Sequence, residues 1–492
     1  MILFVLFPVL IPNLSAHLYH TKTGSTNRNL TPFEHFIDQL LLTPDSLKSA
    51  LVDSFFNQLT QAPIVENDTT VHFVYRGSGN SVTIAGDAND WNPDTWPMLH
   101  VPPTNFWYYT THFEADARLE YKFVKNGNNW LLDPLNPYTC LGGFGPNSEL
   151  RMAQYVPPPE IKYNPAIPHG SLSDTTFYCS YLNQSRPISI YTPPDYVNSE
   201  ELYGVVLLHD GPDYLALANA RNVFDYLISQ AKTPPLIAVF VPALKRTDEY
   251  AGALQADFSA FIVDTLMTWL DQRYRTLKSP QYRCVAGASN GGNIALWLGV
   301  THPEIFGKIA AFSSNVEENI QSVLKADPKR DLKFYLDIGT YDLPVLIPRV
   351  NALKTILQEK GYTYKFQEIH EGHSWGNWKA HLDDALIYLF SEITGVKSGM
   401  RLDIPQDFEL CQNFPNPFNP VTEIRFQIPQ PTLVTLEVFN VMGEKISSLA
   451  DQLMPAGRYT LKFDGTELAS GVYFYHLNAG MFYDIKKCLL LK

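Results

Sequence analysis

The sequence predicts an α/β fold in which a parallel-sheet core lies between two small β-sandwich domains along the chain. The chain has 492 residues, too many for one hydrophobic core, so several domains are expected. From about residue 170 to residue 395, apolar strand-like runs alternate with helical stretches, which is typical of a parallel sheet covered on both faces. On either side the runs become short, aromatic and β-branched, and turn residues separate them, which favours all-β domains.

Composition limits the classes of partner. Hydrophobic residues make up 45% of the chain, which is enough for packed cores. The net charge is −13 and the pI about 5.5, so nucleic acids and anionic membranes are not expected as partners, because both require a basic face. The five cysteines are scattered without a C-x-x-C spacing. A disulfide between Cys411 and Cys488 and a set of buried free thiols both remain open.

The N-terminal run "MILFVLFPVLIPNLSA" resembles the apolar region of a signal peptide with cleavage near Ala16. It departs from that pattern because no Lys or Arg precedes it. Residues 1–16 are predicted to be a signal peptide, and no membrane-spanning segment is expected, because no apolar run is long enough. In residues 17–65, helical spacing of apolar residues that is broken at Pro44 predicts two short helices.

Three further regions follow. Residues 66–157 contain the runs "VHFVYRG", "SVTIAGD", "FWYYTTHF" and "RLEYKFVKN" and are predicted to form the first sandwich. A Pro-rich linker leads into residues 158–398, the predicted core, whose runs include "GVVLLHD", "PLIAVFVPA", "YRCVAGA", "KFYLDIG" and "TYKFQEIH". Residues 399–492 return to strands and turns and are predicted to form the second sandwich.

The stretch "CVAGASNGGNIALW" fits G-x-S-x-G at the junction of a strand and a helix. The glycines at 287 and 291 permit a tight backbone, and the start of the helix beside Ser289 favours developing negative charge. This arrangement predicts that Ser289 is a nucleophile. The alternative is a Gly-rich turn of a nucleotide-binding sheet, but no G-x-G-x-x-G or G-K-[ST] motif supports it.

A nucleophilic serine requires a base and an orienting carboxylate, and both follow later strands. The segment "EIHEGHSWGNW" supplies His373 beyond the last strand of the core, with His370 as the competitor at the strand end. The segment "FYLDIGTYDLP" supplies Asp342 just beyond a strand, whereas Asp337 lies inside it. The order Ser289, Asp342, His373 is the order of nucleophile, acid and base in α/β-hydrolases.

With these motifs, residues from about 186 to 393 resemble the esterase family that includes enterochelin esterases and feruloyl or acetyl xylan esterases. The matching pieces include "VVLLHDGPDYL", "AGASNGGNIALWLGVTHPEIFGKIAAFSS" and "EGHSWGNW". The resemblance implies an α/β-hydrolase core in which Ser289 is the nucleophile, Asp342 the acid and His373 the base. It implies no metal and no organic cofactor.

The tetrahedral intermediate needs two N–H donors. One is expected from Asn290, which follows the nucleophile. In the resembling family the other comes from the residue after Asp-Gly, which here is Pro212 and has no N–H, so Gly211 or Asp213 is expected to substitute. The segment "LKRTDEY", with Arg246, Glu249 and Tyr250, resembles a cleft-lining segment of the family, with a surface ion pair as the alternative. Arg246, Tyr250 and Trp375 are predicted to contact the substrate.

Both flanking regions resemble known immunoglobulin-like modules. Residues 71–155 resemble the early-set β-sandwich related to glycogen-binding modules, and four tryptophans could stack on sugars or pack inside the sandwich: Trp91, Trp96, Trp107 and Trp130. Residues 411–492, with "NFPNPFNPVTEIRFQIP" and "KKCLLLK", resemble the C-terminal sorting domain of type IX secretion substrates. That resemblance implies the type IX secretion machinery as a partner and a secreted or cell-surface location.

Together these features predict a secreted serine carboxyl-ester hydrolase. Export and the sugar-module resemblance favour feruloyl or acetyl esters of plant polysaccharide as substrates. One alternative is a ferric siderophore esterase of the enterochelin type, which the core motifs favour and export disfavours. Another is a surface binding protein with an inactive hydrolase domain.

Overall fold

The computed structural model describes residues 30–391, 407–429, 432–454, 457–480 and 482–492. The predicted signal peptide, residues 1–16, lies outside them. The chain divides into two compact units. The first comprises Met1–Val156, Thr340–Asp342 and His370–Ser374, and the second comprises Pro157–Gly339, Leu343–Ile369 and Trp375–Lys492. The domain boundaries given above stay predictions.

The first unit begins with two helices, α1 (Pro32–Leu42) and α2 (Asp45–Gln58). The prediction of two short helices broken at Pro44 is confirmed. Thr31 caps α1, because its hydroxyl accepts the Glu34 N–H and the Glu34 side chain accepts the Thr31 N–H. The apolar face of α1 packs with residues of the following strands in one hydrophobic cluster.

Two groups of strands make up the rest of the first unit. One sheet has the order β1-β2-β5-β4, and in the other group β6 pairs with β3, β7 and β9. Buried side chains from β2, β3, β5 and β6 share one hydrophobic cluster. The immunoglobulin-like assignment stays a prediction. The strands are β1 (Ile64–Glu66), β2 (Thr70–Arg76), β3 (Val82–Gly86), β4 (Leu99–Val101), β5 (Phe106–His112), β6 (Arg118–Lys125), β7 (Asn129–Leu131), β8 (Thr139–Gly142) and β9 (Gly145–Arg151).

The second unit is built on a mixed sheet with the strand order β10-β11-β13-β12-β14-β15-β16-β17. Strands β12 to β16 pair in parallel, as expected, but β10 and β11 are antiparallel and were not predicted. Most of β10 is exposed and polar, so it carries no apolar run. The strands are β10 (Ser171–Cys179), β11 (Gln184–Thr192), β12 (Gly204–His209), β13 (Leu236–Val241), β14 (Arg283–Ala288), β15 (Lys308–Phe312), β16 (Lys333–Tyr341) and β17 (Thr363–Gly372).

Helices cover both faces of this sheet. Alternate residues of β12 enter different hydrophobic clusters: Val205 and Leu207 pack on one side and Val206 and Leu208 on the other. The α/β core is therefore confirmed. The helices are α3 (Gly211–Ala216), α4 (Ala220–Ser229), α5 (Arg246–Ala251), α6 (Gln255–Ala260), α7 (Thr268–Arg273), α8 (Asn290–Thr301), α9 (Glu318–Ala326), α10 (Leu346–Glu359) and α11 (Trp375–Phe390), and a π-helical segment, Phe261–Met267, joins α6 to α7.

The C-terminal region is rich in β-strands, which form the sheets β18-β19-β22 and β21-β20-β23-β24. The strands are β18 (Glu409–Leu410), β19 (Val421–Ile428), β20 (Thr432–Phe439), β21 (Lys445–Met454), β22 (Gly457–Asp464), β23 (Gly471–Ala479) and β24 (Phe482–Leu490). All five cysteines lie among the described residues, and none of them forms a disulfide there, so the bond between Cys411 and Cys488 is not observed. Among the described residues, no helix has the length and apolar character to cross a membrane.

Candidate active site

The predicted nucleophile lies on a sharp turn between β14 and α8. Ser289 has φ 57° and ψ −123°, a backbone conformation that L-residues rarely adopt, and its side chain is half-buried. The Ser289 N–H donates to Phe312 O at 2.9 Å, and Ser289 O accepts the N–H of Asn293 and of Asn315. Backbone hydrogen bonds thus fix both sides of the strained residue. In α/β-hydrolases, a strand-to-helix turn of this kind presents the nucleophile.

The glycines of the motif are sterically required. A Cβ at residue 287 would lie 2.2 Å from Gly291 O, so the strand and the first turn of α8 approach too closely for any side chain. A Cβ at residue 291 would lie 2.9 Å from Asp210 Oδ2. The turn therefore packs directly against the loop that follows β12.

That loop is tied to the nucleophile turn by Arg246 at the start of α5. Arg246 donates to both carboxylate oxygens of Asp210, at 2.8 to 3.1 Å, and Nη2 also donates to Ala288 O at 3.2 Å. Asp210 has φ 56° and is buried. Ala288 directly precedes Ser289, so one guanidinium joins the loop to the turn. The sequence analysis did not single out Asp210, although an Asp-Gly pair directly after a buried strand is a usable signal.

The predicted oxyanion donors differ in availability. Asn290 and Gly211 are the first residues of α8 and α3, and such N–H groups have no acceptor within their own helix. The Asp213 N–H instead donates to Asp210 O at 2.9 Å. This hydrogen bond favours Gly211 over Asp213 as the second donor, and the oxyanion roles stay predictions. A Cβ at residue 211 would lie 2.3 Å from the Phe240 carbonyl carbon, so this position also requires glycine.

The predicted base and acid form a pair. His373 follows β17, Asp342 follows β16, and His373 Nδ1 lies 2.8 Å from Asp342 Oδ1. The Asp342 side chain is buried and the His373 side chain is 19% exposed, so the imidazole is anchored on one edge and reachable from solvent. Both residues belong to the first unit, whereas Ser289 belongs to the second.

The two competing residues have other partners. His370 Nδ1 lies 2.7 Å from Asp116 Oδ1, and the His370 side chain is one-third exposed. Asp337 is fully buried within β16, where its Oδ1 accepts the Ser313 N–H at 2.9 Å. Each of these two side chains therefore has a structural contact of its own.

His209 ends β12 and is fully buried beneath the loop. Its ring lies 5.3 Å from the ring of Tyr250 and 5.7 Å from that of Phe258. Burial, followed by the charges of Arg186 and Arg246, lowers the pKa of His209 to about 3. His209 is therefore neutral at physiological pH and acts as packing rather than as a second base.

Two of the three predicted substrate-contact residues are buried. Tyr250 is fully buried, and its hydroxyl accepts the Asp210 N–H at 3.0 Å. Trp375 is 8% exposed and packs edge-on against Tyr214. Each side chain packs beneath the loop, and the substrate contacts of Tyr250 and Trp375 stay predictions. Arg246 forms the ion pair described above and remains about two-fifths exposed.

The four candidate sugar-stacking tryptophans have different environments. Trp107 is buried, stacks on His100 and donates to Gly77 O, which favours the alternative of packing inside the sandwich. Trp96 stacks on Tyr109, and Trp91 donates to the buried Asp87 carboxylate. Trp130 is 42% exposed. Three of the four tryptophan side chains therefore make contacts with other residues of the first unit.

Comparison with protein families gives two matches. Residues 179–389 match the family model described as "Putative esterase", and residues 412–490 match the secretion system C-terminal sorting domain. Among curated proteins, the uncharacterized protein YjcH of Bacillus subtilis is 25% identical over 233 residues, which are 44% of this chain and 97% of YjcH. The iron(III) enterobactin esterase of Escherichia coli K12 is 23% identical over 340 residues, which are 61% of this chain and 84% of that protein.

Solved structures show the same fold. The enterobactin esterase of Shigella flexneri, crystallised in the presence of enterobactin, is 23% identical to this chain, with a TM-score of 0.59. The match covers 69% of this chain and 98% of the Shigella protein.

Proposed function

We propose that Ser289, His373 and Asp342 carry out the reaction of this chain, a secreted or cell-surface carboxylic ester hydrolase whose residues 179–389 match an esterase family model. The observation that carries this proposal is the backbone of Ser289, strained at φ 57° and fixed between a buried strand and a helix. Strain of this kind persists only where the surroundings enforce it, and it exposes the hydroxyl.

In the proposed mechanism, Asp342 accepts a hydrogen bond from the Nδ1–H of His373. Nε2 is then the unprotonated nitrogen and can take the proton of Ser289 as Oγ attacks the ester carbonyl. The N–H groups of Asn290 and Gly211 stabilise the oxyanion. His373 next protonates the leaving alcohol, and water, activated by the same imidazole, releases the acid.

Two substrate classes are candidates. The first is a feruloyl or acetyl ester of plant polysaccharide, supported by the secreted or cell-surface location, because a polymer must be attacked outside the cell. The second is a siderophore ester, supported by relatives named enterobactin esterases whose match spans 61% of this chain and so exceeds the esterase domain.

A substrate panel tests the proposal. Full-length protein and Ser289→Ala are assayed on p-nitrophenyl acetate, on feruloyl and acetyl xylooligosaccharides, and on a catecholate triester. We expect the p-nitrophenyl ester and one natural class to be hydrolysed by the wild type only. A folded wild-type protein that hydrolyses none of these esters would favour the binding protein with an inactive hydrolase domain.

A further inference from the structure

The segment that carries the predicted base, His370–Ser374, belongs to the first unit, although it includes the last residues of β17, a strand of the core. Its neighbours there come from β6 and from the turn after β3. We propose that the β-module of the first unit, residues 64–151, positions the catalytic base. In this arrangement Asp87 holds Gly372 and Arg118 holds Ser374, on either side of His373. This inference rests on the proposed role of His373.

On one side, Gly372 lies against a buried carboxyl group. A Cβ at residue 372 would lie 2.1 Å from Asp87 Cγ, so even a methyl group does not fit. Gly372 does not have a left-handed backbone, so the close approach of Asp87 is the reason for glycine here. Asp87 is itself fixed, because Oδ2 accepts the Glu120 N–H at 2.7 Å and Oδ1 accepts the Trp91 indole N–H at 3.0 Å.

On the other side, Ser374 is held by a buried guanidinium. Arg118 Nη1 donates to Ser374 Oγ at 3.3 Å, and the Ser374 N–H donates to Gly372 O at 3.1 Å. The second hydrogen bond closes a three-residue turn with His373 at its centre. Arg118 and Glu371 are also partners in the pairing of β6 with β17. The backbone on both sides of the imidazole is thus tied to β6.

Arg118 is well suited to this task because it cannot move. Its side chain is 1% exposed and is surrounded by three carboxylates, at 2.9 Å (Glu120), 3.3 Å (Glu149) and 3.5 Å (Glu371). A buried guanidinium with several charged partners is fixed in one rotamer, since any shift would leave charges unpaired. The carboxylate of Glu371 is part of the same segment as the base.

The segment that carries the acid has a matching contact. Tyr341, which precedes Asp342, donates from its hydroxyl to Glu114 Oε2 at 2.6 Å, and its ring packs edge-on against Phe113. Thr340–Asp342 also belongs to the first unit. The module therefore holds the residues next to both members of the His373–Asp342 pair, which a module devoted only to sugar binding would not require.

The test uses full-length Gly372→Ala and Ser374→Ala, each alone and combined with His373→Ala. Gly143→Ala is the matched control, because Gly143 is in the same module and a Cβ there meets nothing within 4 Å. The readouts are kcat and KM for p-nitrophenyl acetate and the thermal unfolding midpoint. We expect kcat to fall about 10²-fold in Gly372→Ala and about 10-fold in Ser374→Ala, with KM within about twofold, because a small misplacement of the base affects only the chemical step.

Non-additivity distinguishes positioning from a general structural effect. In the His373→Ala background, neither substitution should lower the residual rate further, since each acts through the missing imidazole. The positioning proposal is overturned if Ser374→Ala and a folded Gly372→Ala keep the wild-type kcat. It is also overturned if each substitution lowers the rate by the same factor when His373 has been replaced by Ala. If His373→Ala itself keeps wild-type activity, the base assignment fails, and the positioning proposal fails with it. Should Gly372→Ala not fold, Ser374→Ala decides alone.

Discussion

At the scale of single residues, the proposed roles separate groups that react from a group that orients them. Ser289 and His373 are partly accessible, whereas Asp342 is buried and contacts the imidazole at Nδ1. An orienting carboxylate acts by fixing the tautomer, so its removal should lower the rate without removing substrate binding.

The substitution Asp342→Asn tests this role. We expect kcat to fall on the order of 10⁴-fold, because the amide can hold the imidazole in the wrong tautomer. His370→Ala is the matched control, since His370 pairs with Asp116 and should be nearly neutral for the rate. Steady-state kinetics on p-nitrophenyl acetate would contradict the assignment if the His370 variant lost activity and the Asp342 variant did not.

Asp87 gives a residue-scale prediction about pH. Burial, and then the charge of Glu120, raise the pKa of Asp87 to about 7, against the opposing Glu120 N–H hydrogen bond and the charge of Arg118. The unfolded chain releases this proton near pH 4, so between about pH 4 and pH 7 the folded state binds a proton that the unfolded state does not. Stability linked to Asp87 is therefore present at low pH and lost as pH rises to about 7.

Asp87→Asn should flatten that dependence, because its side chain is neutral at every pH. The thermal unfolding midpoints of the wild type and the variant are measured at pH 5 and at pH 8. The midpoint of the wild type should fall further between these two pH values than that of the variant. Asp383, whose pKa burial and Glu160 raise to about 7, contributes equally to both proteins and cancels. An equal fall of the midpoint in the two proteins would contradict the prediction.

At the scale of elements, the site depends on close approaches of backbone. The strand β14, the first turn of α8 and the loop after β12 meet at glycines with no room for a Cβ. Arg246 then links the loop to the residue before the nucleophile. The geometry of Ser289 is thus a property of three packed elements rather than of the serine itself.

Gly287→Ala should disrupt this arrangement. The added Cβ would lie 2.2 Å from Gly291 O, so the strand or the helix must shift, and overpacking of this kind costs about 1–3 kcal/mol of stability. We expect kcat/KM to fall at least about 10²-fold with a lower unfolding midpoint. Gly471→Ala is the control, because the nearest atom to its Cβ is 4.0 Å away. Wild-type kcat/KM in Gly287→Ala would be inconsistent with a rigid turn.

The elements were predictable where their signal is local. Apolar runs gave the parallel strands, and the positions of Ser289, Asp342 and His373 follow from the rule that reactive groups lie at the carboxyl ends of such strands. Contacts between distant residues have no such signal, since Arg118 and Ser374 are 256 positions apart. The burial of Tyr250 was missed because an aromatic residue in a short helix suits a cleft and a core equally.

At the scale of the whole chain, the esterase domain is accompanied by a module that holds the predicted base and by a sorting domain. Residues 412–490 match a secretion sorting domain, so we expect this region to serve export rather than hydrolysis. Its strands form sheets of their own with a separate hydrophobic cluster, so its removal should leave the catalytic part intact.

Processing during export is therefore expected at both ends. The mature secreted protein should lack residues 1–16 and the C-terminal sorting domain. Intact-mass measurement of native secreted material would show this directly, and recombinant protein that lacks residues 399–492 should keep the wild-type kcat. A mature chain that still ends at Lys492 would contradict the prediction of C-terminal removal.

Covalent labelling shows directly whether Ser289 is the nucleophile. The full chain is treated with a fluorophosphonate, which reacts with serines activated by a base, and the modified peptide is identified by mass spectrometry. We expect one adduct, on Ser289, with loss of ester hydrolysis in proportion to labelling, and strongly reduced labelling in His373→Ala. An adduct on another serine, or undiminished hydrolysis by Ser289→Ala, would contradict it.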